Sequence, residues 1–230
     1  MNKAGFILGS MLLAMSASVA FSTGCGGESS TSTTGSGGST SSTTSTTTTV
    51  GTGGTGGGAA ATCADYCTEN LANCKDATKQ WPSQDSCLAA CATFAAGTPG
   101  DTSGNSLACR VYHTGAAKMD AATHCHHAGP TGGDQDPTDA VGGPCGEGCE
   151  AFCNIAQAVC TGANAQYKSA AECVAECGKF KASPAPYSTA DTAADTFGCR
   201  VYHLSVAATD AASADTHCAH IVLASTTCTM

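Results

Sequence analysis

From Cys63 to Cys228 large apolar residues are sparse, and cysteines set the buried pattern instead. At about 100° per residue, Cys63, Cys67 and Cys74 fall within about 40° of one another, which is one face of one helix. Cys87 and Cys91 share a face on a second helix. Ser83 and Ser169 stand where an N-cap belongs, and Ser169-Ala170-Ala171-Glu172 reads as a capping box. Trp81 and Tyr167 can pack beneath those helix starts. A third helix is expected to begin near Asn105 and near Asp195, both good N-caps, and to carry an Arg-Val-Tyr-His segment. Gly142, Gly143, Pro144 and Gly146 mark a boundary.

The same pattern occurs twice. Cys63-x3-Cys67-x6-Cys74-x12-Cys87-x3-Cys91 is repeated, spacing for spacing, by Cys149, Cys153, Cys160, Cys173 and Cys177. Cys109-Arg110-Val111-Tyr112-His113 recurs as Cys199-Arg200-Val201-Tyr202-His203, and Thr123-His124-Cys125 as Thr216-His217-Cys218. Tyr66 matches Phe152, Trp81 matches Tyr167, and Phe94 matches Phe180. With Cys145 closing the first copy and Cys228 the second, each copy holds eight cysteines, and Cys25 alone is left over. The expected fold is all-α, small and disulfide-rich: two tandem three-helix modules, residues 63–145 and 146–230, after a disordered linker.

What precedes the modules reads as an address. Lys3 is a positive n-region, and Ala4 to Ala20 is an apolar stretch too short and too interrupted to span a membrane. It ends in Ser22-Thr23-Gly24-Cys25, which resembles the lipobox of bacterial lipoproteins. Ser22 departs from the aliphatic residue usual there. The resemblance implies a signal peptide over residues 1–24, a lipid on Cys25 and, with Gly26 following, an outer-membrane lipoprotein facing the periplasm or the cell surface. Cleavage after Ala20, giving a soluble secreted chain, is the alternative. Residues 26–62 are almost wholly Gly, Ser and Thr and cannot build a core, so residues 25–62 are expected to be an anchor followed by a tether. Its r.m.s. reach is about 33 Å.

The paired Cys-x3-Cys helices resemble the twin Cys-x3-Cys hairpins of small mitochondrial intermembrane-space chaperones. The resemblance covers Cys63 to Cys91 and Cys149 to Cys177 and is one of geometry alone. It implies an antiparallel register with Cys63 joined to Cys91 and Cys67 to Cys87, and likewise Cys149 to Cys177 and Cys153 to Cys173. The other cysteines, Cys74, Cys109, Cys125 and Cys145, and Cys160, Cys199, Cys218 and Cys228, stay unassigned.

Composition narrows the function classes. Of the 230 residues 17 are cysteine, 28 are glycine and 12% are charged, with a formal net charge of -9. Without a basic run, neither nucleic acid nor an anionic membrane surface is an expected partner. Between Cys63 and Cys228 there are 14 Leu, Ile and Val and 4 Phe in 166 residues, too few for one large apolar core. Every close pair is Cys-x3-Cys, whereas zinc-thiolate, c-type haem and thioredoxin-like sites use Cys-x2-Cys, so the cysteines are read as disulfides of an oxidising compartment. No Gly-x-Ser-x-Gly, Gly-x4-Gly-Lys-[ST] or His-Glu-x2-His motif is present, and no catalytic residue is assigned.

Two residue sets hold the remaining chemistry. His113, His124 and His127 recur as His203, His217 and His220, with His126 unmatched. They read first as repeated packing residues and alternatively as imidazole ligands of copper or zinc. Arg110 and Arg200 are expected to pair internally with Asp120 and Asp210, and Tyr112 and Tyr202 to be core residues. The functional expectation is a non-enzymatic binding or structural module of the cell envelope, held to the membrane by its lipid. Envelope polysaccharide or protein would be its ligand; histidine-mediated metal binding is the alternative.

Overall fold

Seven of the eight α-helices among the described residues start on a side chain that accepts a backbone N–H of the first turn. In the computed structural model, which describes residues 60–139 and 141–229, the first copy folds as α1 (Cys63–Asn73), α2 (Gln84–Cys91), α3 (Leu107–Ala116) and α4 (Ala121–His127). The second folds as α5 (Gly148–Val159), α6 (Ala170–Cys177), α7 (Phe197–Ala207) and α8 (Ala211–His217). Thr62, Ser83, Ser106, Asp120, Ser169, Thr196 and Asp210 are the caps. The third helix of each copy therefore begins on Ser106 and Thr196, one residue beyond the expected Asn105 and Asp195. Glu172 departs from a capping box: its carboxylate accepts from the N–H of Lys168, one residue ahead of the cap. The start of α5 is served from a distance, because Asp134 accepts the Gly148 N–H at 2.7 Å. Gly148 has to be glycine there, since a Cβ would stand 2.8 Å from both that carboxylate and the Phe197 ring.

Each copy thus contains the three expected helices and a fourth, short one that the sequence pattern does not announce. Every one of the sixteen cysteines from Cys63 to Cys228 is in a disulfide. Cys63–Cys91, Cys67–Cys87, Cys149–Cys177 and Cys153–Cys173 tie α1 to α2 and α5 to α6, in the register of the hairpin resemblance. Cys74–Cys125 and Cys160–Cys218 fasten the end of the first helix of each copy to the end of its fourth. Cys109–Cys145 and Cys199–Cys228 fasten the third helix to the segment that closes the copy. All eight bridges lie within a copy, and every half-cystine except Cys63 is buried. A chain with eight disulfides is an exported one. No described helix is long and apolar enough to cross a membrane. The leader, the lipobox residues and Cys25 lie outside the described residues.

The two copies share one core. Tyr66, Trp81 and Leu107 of the first join Phe152, Ile155, Phe180, Phe197 and Leu204 of the second in a single buried cluster with the hairpin sulfurs. The scarcity of large apolar residues is met by pooling them across the repeat and by filling with cystine and alanine. The seam is also hydrogen-bonded. Gln80 Nε2 donates to the Tyr187 carbonyl at 2.9 Å, and the Ser86 hydroxyl donates to the Ser205 carbonyl. The Thr189 N–H donates to the Lys79 carbonyl at 2.8 Å. Tyr187 belongs to a loop four residues longer than its counterpart in the first copy: 21 residues separate Cys177 from Cys199, against 17 between Cys91 and Cys109.

The two arginines are wholly buried, but not on the expected acids. Asp120 and Asp210 are spent as the caps of α4 and α8, where a backbone N–H is already at hand. Arg110 lies 3.9 Å over the Phe94 ring and donates to the carbonyls of Ser106 and Gly129 and to Asn105 Oδ1. Arg200 lies 4.5 Å over Phe180, donates to the carbonyls of Thr196, Val222 and Leu223, and pairs with Asp195 at 2.9 Å. They stitch the last loop of each copy onto its third helix.

Candidate functional site

The fourth helix of each copy brings histidine against the histidine of the third. Asp120 caps α4, so that His124 and His127, three apart, lie on one helix face; His113 comes from α3 opposite. In the second copy His203 comes from α7, His217 ends α8, and His220 sits in the following 3-10 turn, Cys218–His220. Disulfides fix the fourth helix of each copy to the end of its first through Cys125 and Cys218, each next in sequence to a histidine of the set.

The rings meet through Nδ1. His113 Nδ1 lies 3.0 Å from His124 Nδ1, and His203 Nδ1 lies 2.9 Å from His217 Nδ1 and 3.3 Å from His220 Nδ1. In each triad one ligand-type nitrogen from every histidine falls within 4.8 Å of the others. His113 and His203 are buried and their partners half-buried. In the first copy the outer nitrogen of the anchor, His113 Nε2, lies 3.2 Å from the Thr102 carbonyl. A carbonyl only accepts, so Nε2 carries the proton and Nδ1 turns its lone pair inward. In the second copy Thr192 stands at the matched position and its carbonyl is close enough to favour the protonated ring, yet His203 Nε2 closes no hydrogen bond of normal geometry. Burial, then the neighbouring imidazoles, push His127 and His203 down to about 4, and burial also lowers His113 and His217. These rings are neutral at pH 7.

Other expected residues distribute differently. His126 is brought edge-on to His127, with ring centroids 4.3 Å apart, but is not among the triad nitrogens. Cys109 and Cys145 border His113, and Cys199 and Cys228 border His203, but as disulfides they offer no thiolate. Tyr112 is not a core residue: it is 47% exposed and stands edge-on to His113, as the half-buried Tyr202 does to His203. An apolar groove of about 230 Å³ runs along α3 between Leu107, Val111, Tyr112 and Pro99, with Tyr112 the one ionisable side chain on its wall. The role of the Thr102 carbonyl is not visible in residue types; its one signal is a register, eleven residues ahead of the anchor histidine in both copies.

The BfoA family C-terminal domain matches the chain over residues 38–139 and 147–227. The chain belongs to this family. Each matched segment of the family domain contains one complete histidine triad, and the two stop just short of Cys145 and Cys228, the cysteines that close the copies. Neither a curated protein nor a solved structure matches the chain.

Proposed function

We propose that this BfoA-family chain is an envelope lipoprotein, anchored through a lipid on Cys25, whose two-copy helical head is a non-enzymatic binding module. The cysteine arithmetic carries this reading. Eight bridges use the sixteen cysteines from Cys63 to Cys228, and the one remaining, Cys25, is the residue the lipobox resemblance requires. Residues 26–62 would hold the head off an outer membrane by a few tens of ångströms, within reach of envelope polysaccharide or protein. On the binding side, imidazole faces imidazole in two clusters among the described residues of the head, one in each copy. Metabolic labelling with a radioactive fatty acid tests the anchor: label is expected on the native chain and absent from Cys25→Ser, which should leave the membrane fraction. A mature N-terminus at Phe21, or label retained by Cys25→Ser, would refute the reading.

A further inference from the structure

We propose that each copy is a transition-metal site, His113, His124 and His127 in the first and His203, His217 and His220 in the second, each taking one copper or zinc ion through imidazole nitrogen. This names a ligand for the head and so rests on reading that head as a binding module; lipidation at Cys25 plays no part in it.

Three observations carry the assignment. The first is geometry. A tetrahedral ion with bonds of about 2.0–2.1 Å to nitrogen sets its ligand atoms about 3.3 Å apart. The Nδ1 separations of 2.9, 3.0 and 3.3 Å need a few tenths of an ångström of opening, and the remaining nitrogens of each triad, all within 4.8 Å of one another, settle around the ion by side-chain rotation.

The second is an unsatisfied atom. With His113 Nδ1 turned inward as an acceptor, His124 can satisfy it, but His127 Nδ1 is buried beside them without any partner. A hydrogen-bonded histidine cluster leaves that nitrogen unexplained, whereas a cation shared by three lone pairs uses it. The Thr102 carbonyl supplies the outer-shell contact that a ligating imidazole needs on its other nitrogen.

The third is the repeat itself. Matched packing positions have drifted, Trp81 to Tyr167 and Asn105 to Asp195. The segment from anchor to second histidine has lengthened from 11 residues to 14. The anchor still meets its partner Nδ1 to Nδ1 at 3.0 Å in one copy and 2.9 Å in the other.

The donor set selects the class of ion. It offers imidazole nitrogen and neither thiolate nor carboxylate: the adjacent sulfurs are cystine, and Asp120 and Asp210 are held by the helix starts. Such a set suits copper and zinc over calcium and magnesium, which take oxygen.

The test uses the full chain without a polyhistidine tag, recovered from an oxidising compartment with its disulfides intact, stripped with a chelator and titrated with Cu(II) and separately with Zn(II). Two ions per chain are expected, with imidazole-nitrogen hyperfine structure in the Cu(II) electron paramagnetic resonance spectrum and a higher thermal midpoint with Zn(II). His113→Ala and His203→Ala should each lose one ion and the pair both, whereas His126→Ala keeps two. Because the anchors are buried, the half-buried pair His124→Gln with His217→Gln repeats the measurement, with unchanged far-ultraviolet circular dichroism as the folding control. No binding by the native chain overturns the assignment, as do two ions retained by either folded double variant. A single ion overturns it for the copy whose anchor variant leaves that ion in place.

Discussion

Arg110 and Arg200 show how one residue type is accommodated twice at different cost. Both guanidinium groups are fully buried, but Arg200 has the Asp195 carboxylate where Arg110 has the neutral Asn105 amide. Burial accordingly pulls Arg110 down to about 10. Replacing Asn105 by its isostere Asp should stabilise the fold by about 1–2 kcal/mol, the worth of a hydrogen bond to a charged group, seen as a higher urea midpoint. An unchanged midpoint would show that the carbonyls and the Phe94 ring already suffice. In the other direction, hydrogen bonds from Lys181 and Arg200 hold the Asp195 carboxyl below its ordinary 3.8. A depressed folded pKa means stability that is present above 3.8 and lost as the pH falls through the folded value. The Asp195→Asn chain should therefore be less stable than the native one at pH 7, and the difference should shrink as the medium is acidified below pH 3.8.

Among elements, the hairpins were open to reading because their determinants are local. Cys-x3-Cys spacing sets a helix face, and Ser83 and Ser169 cap the helices that follow. The fourth helix was not, since its seven residues, mostly Ala, Thr, Ser and His, carry no stripe of large apolar side chains. Its capping aspartate serves the helix start and not the arginine, because a backbone N–H three residues away costs a carboxylate far less ordering than a side chain across the fold. The histidines are legible as a repeated set of three per copy; that they meet Nδ1 to Nδ1 is not, because it depends on how the third and fourth helices pack, which no spacing rule assigns. Removing the caps tests the element: Asp120→Ala and Asp210→Ala should each cost about 0.5–2 kcal/mol in chemical denaturation. If either costs nothing, its short helix is held by the neighbouring disulfide alone.

The whole head is a pooled structure. Each bridge closes a loop of 20 to 58 residues, nominally worth about 3–4 kcal/mol in the unfolded chain. Nested loops do not add in full, but even part of that sum rivals the net stability of a domain. Excess reductant should abolish the helical circular dichroism; retention of the signal would show that the shared core suffices alone. Because that core runs through both copies, heating under oxidising conditions should give one calorimetric transition, not two. Tyr187→Ala, which empties a buried site at the seam, should lower stability by about 3 kcal/mol or more and lower the temperature at which both copies melt. Two separated melts in the native chain would contradict the common core.

The loop that carries Tyr187 has a consequence for how the chain can change. Its hydroxyl meets Ser205 of its own half and its carbonyl accepts from Gln80 of the other, so the second half carries a part whose partner lies in the first. A gene that repeated the first half twice would lack the residues of the second that make the clasp. Duplication here has produced a lock and its latch, and neither half is any longer a spare for the other.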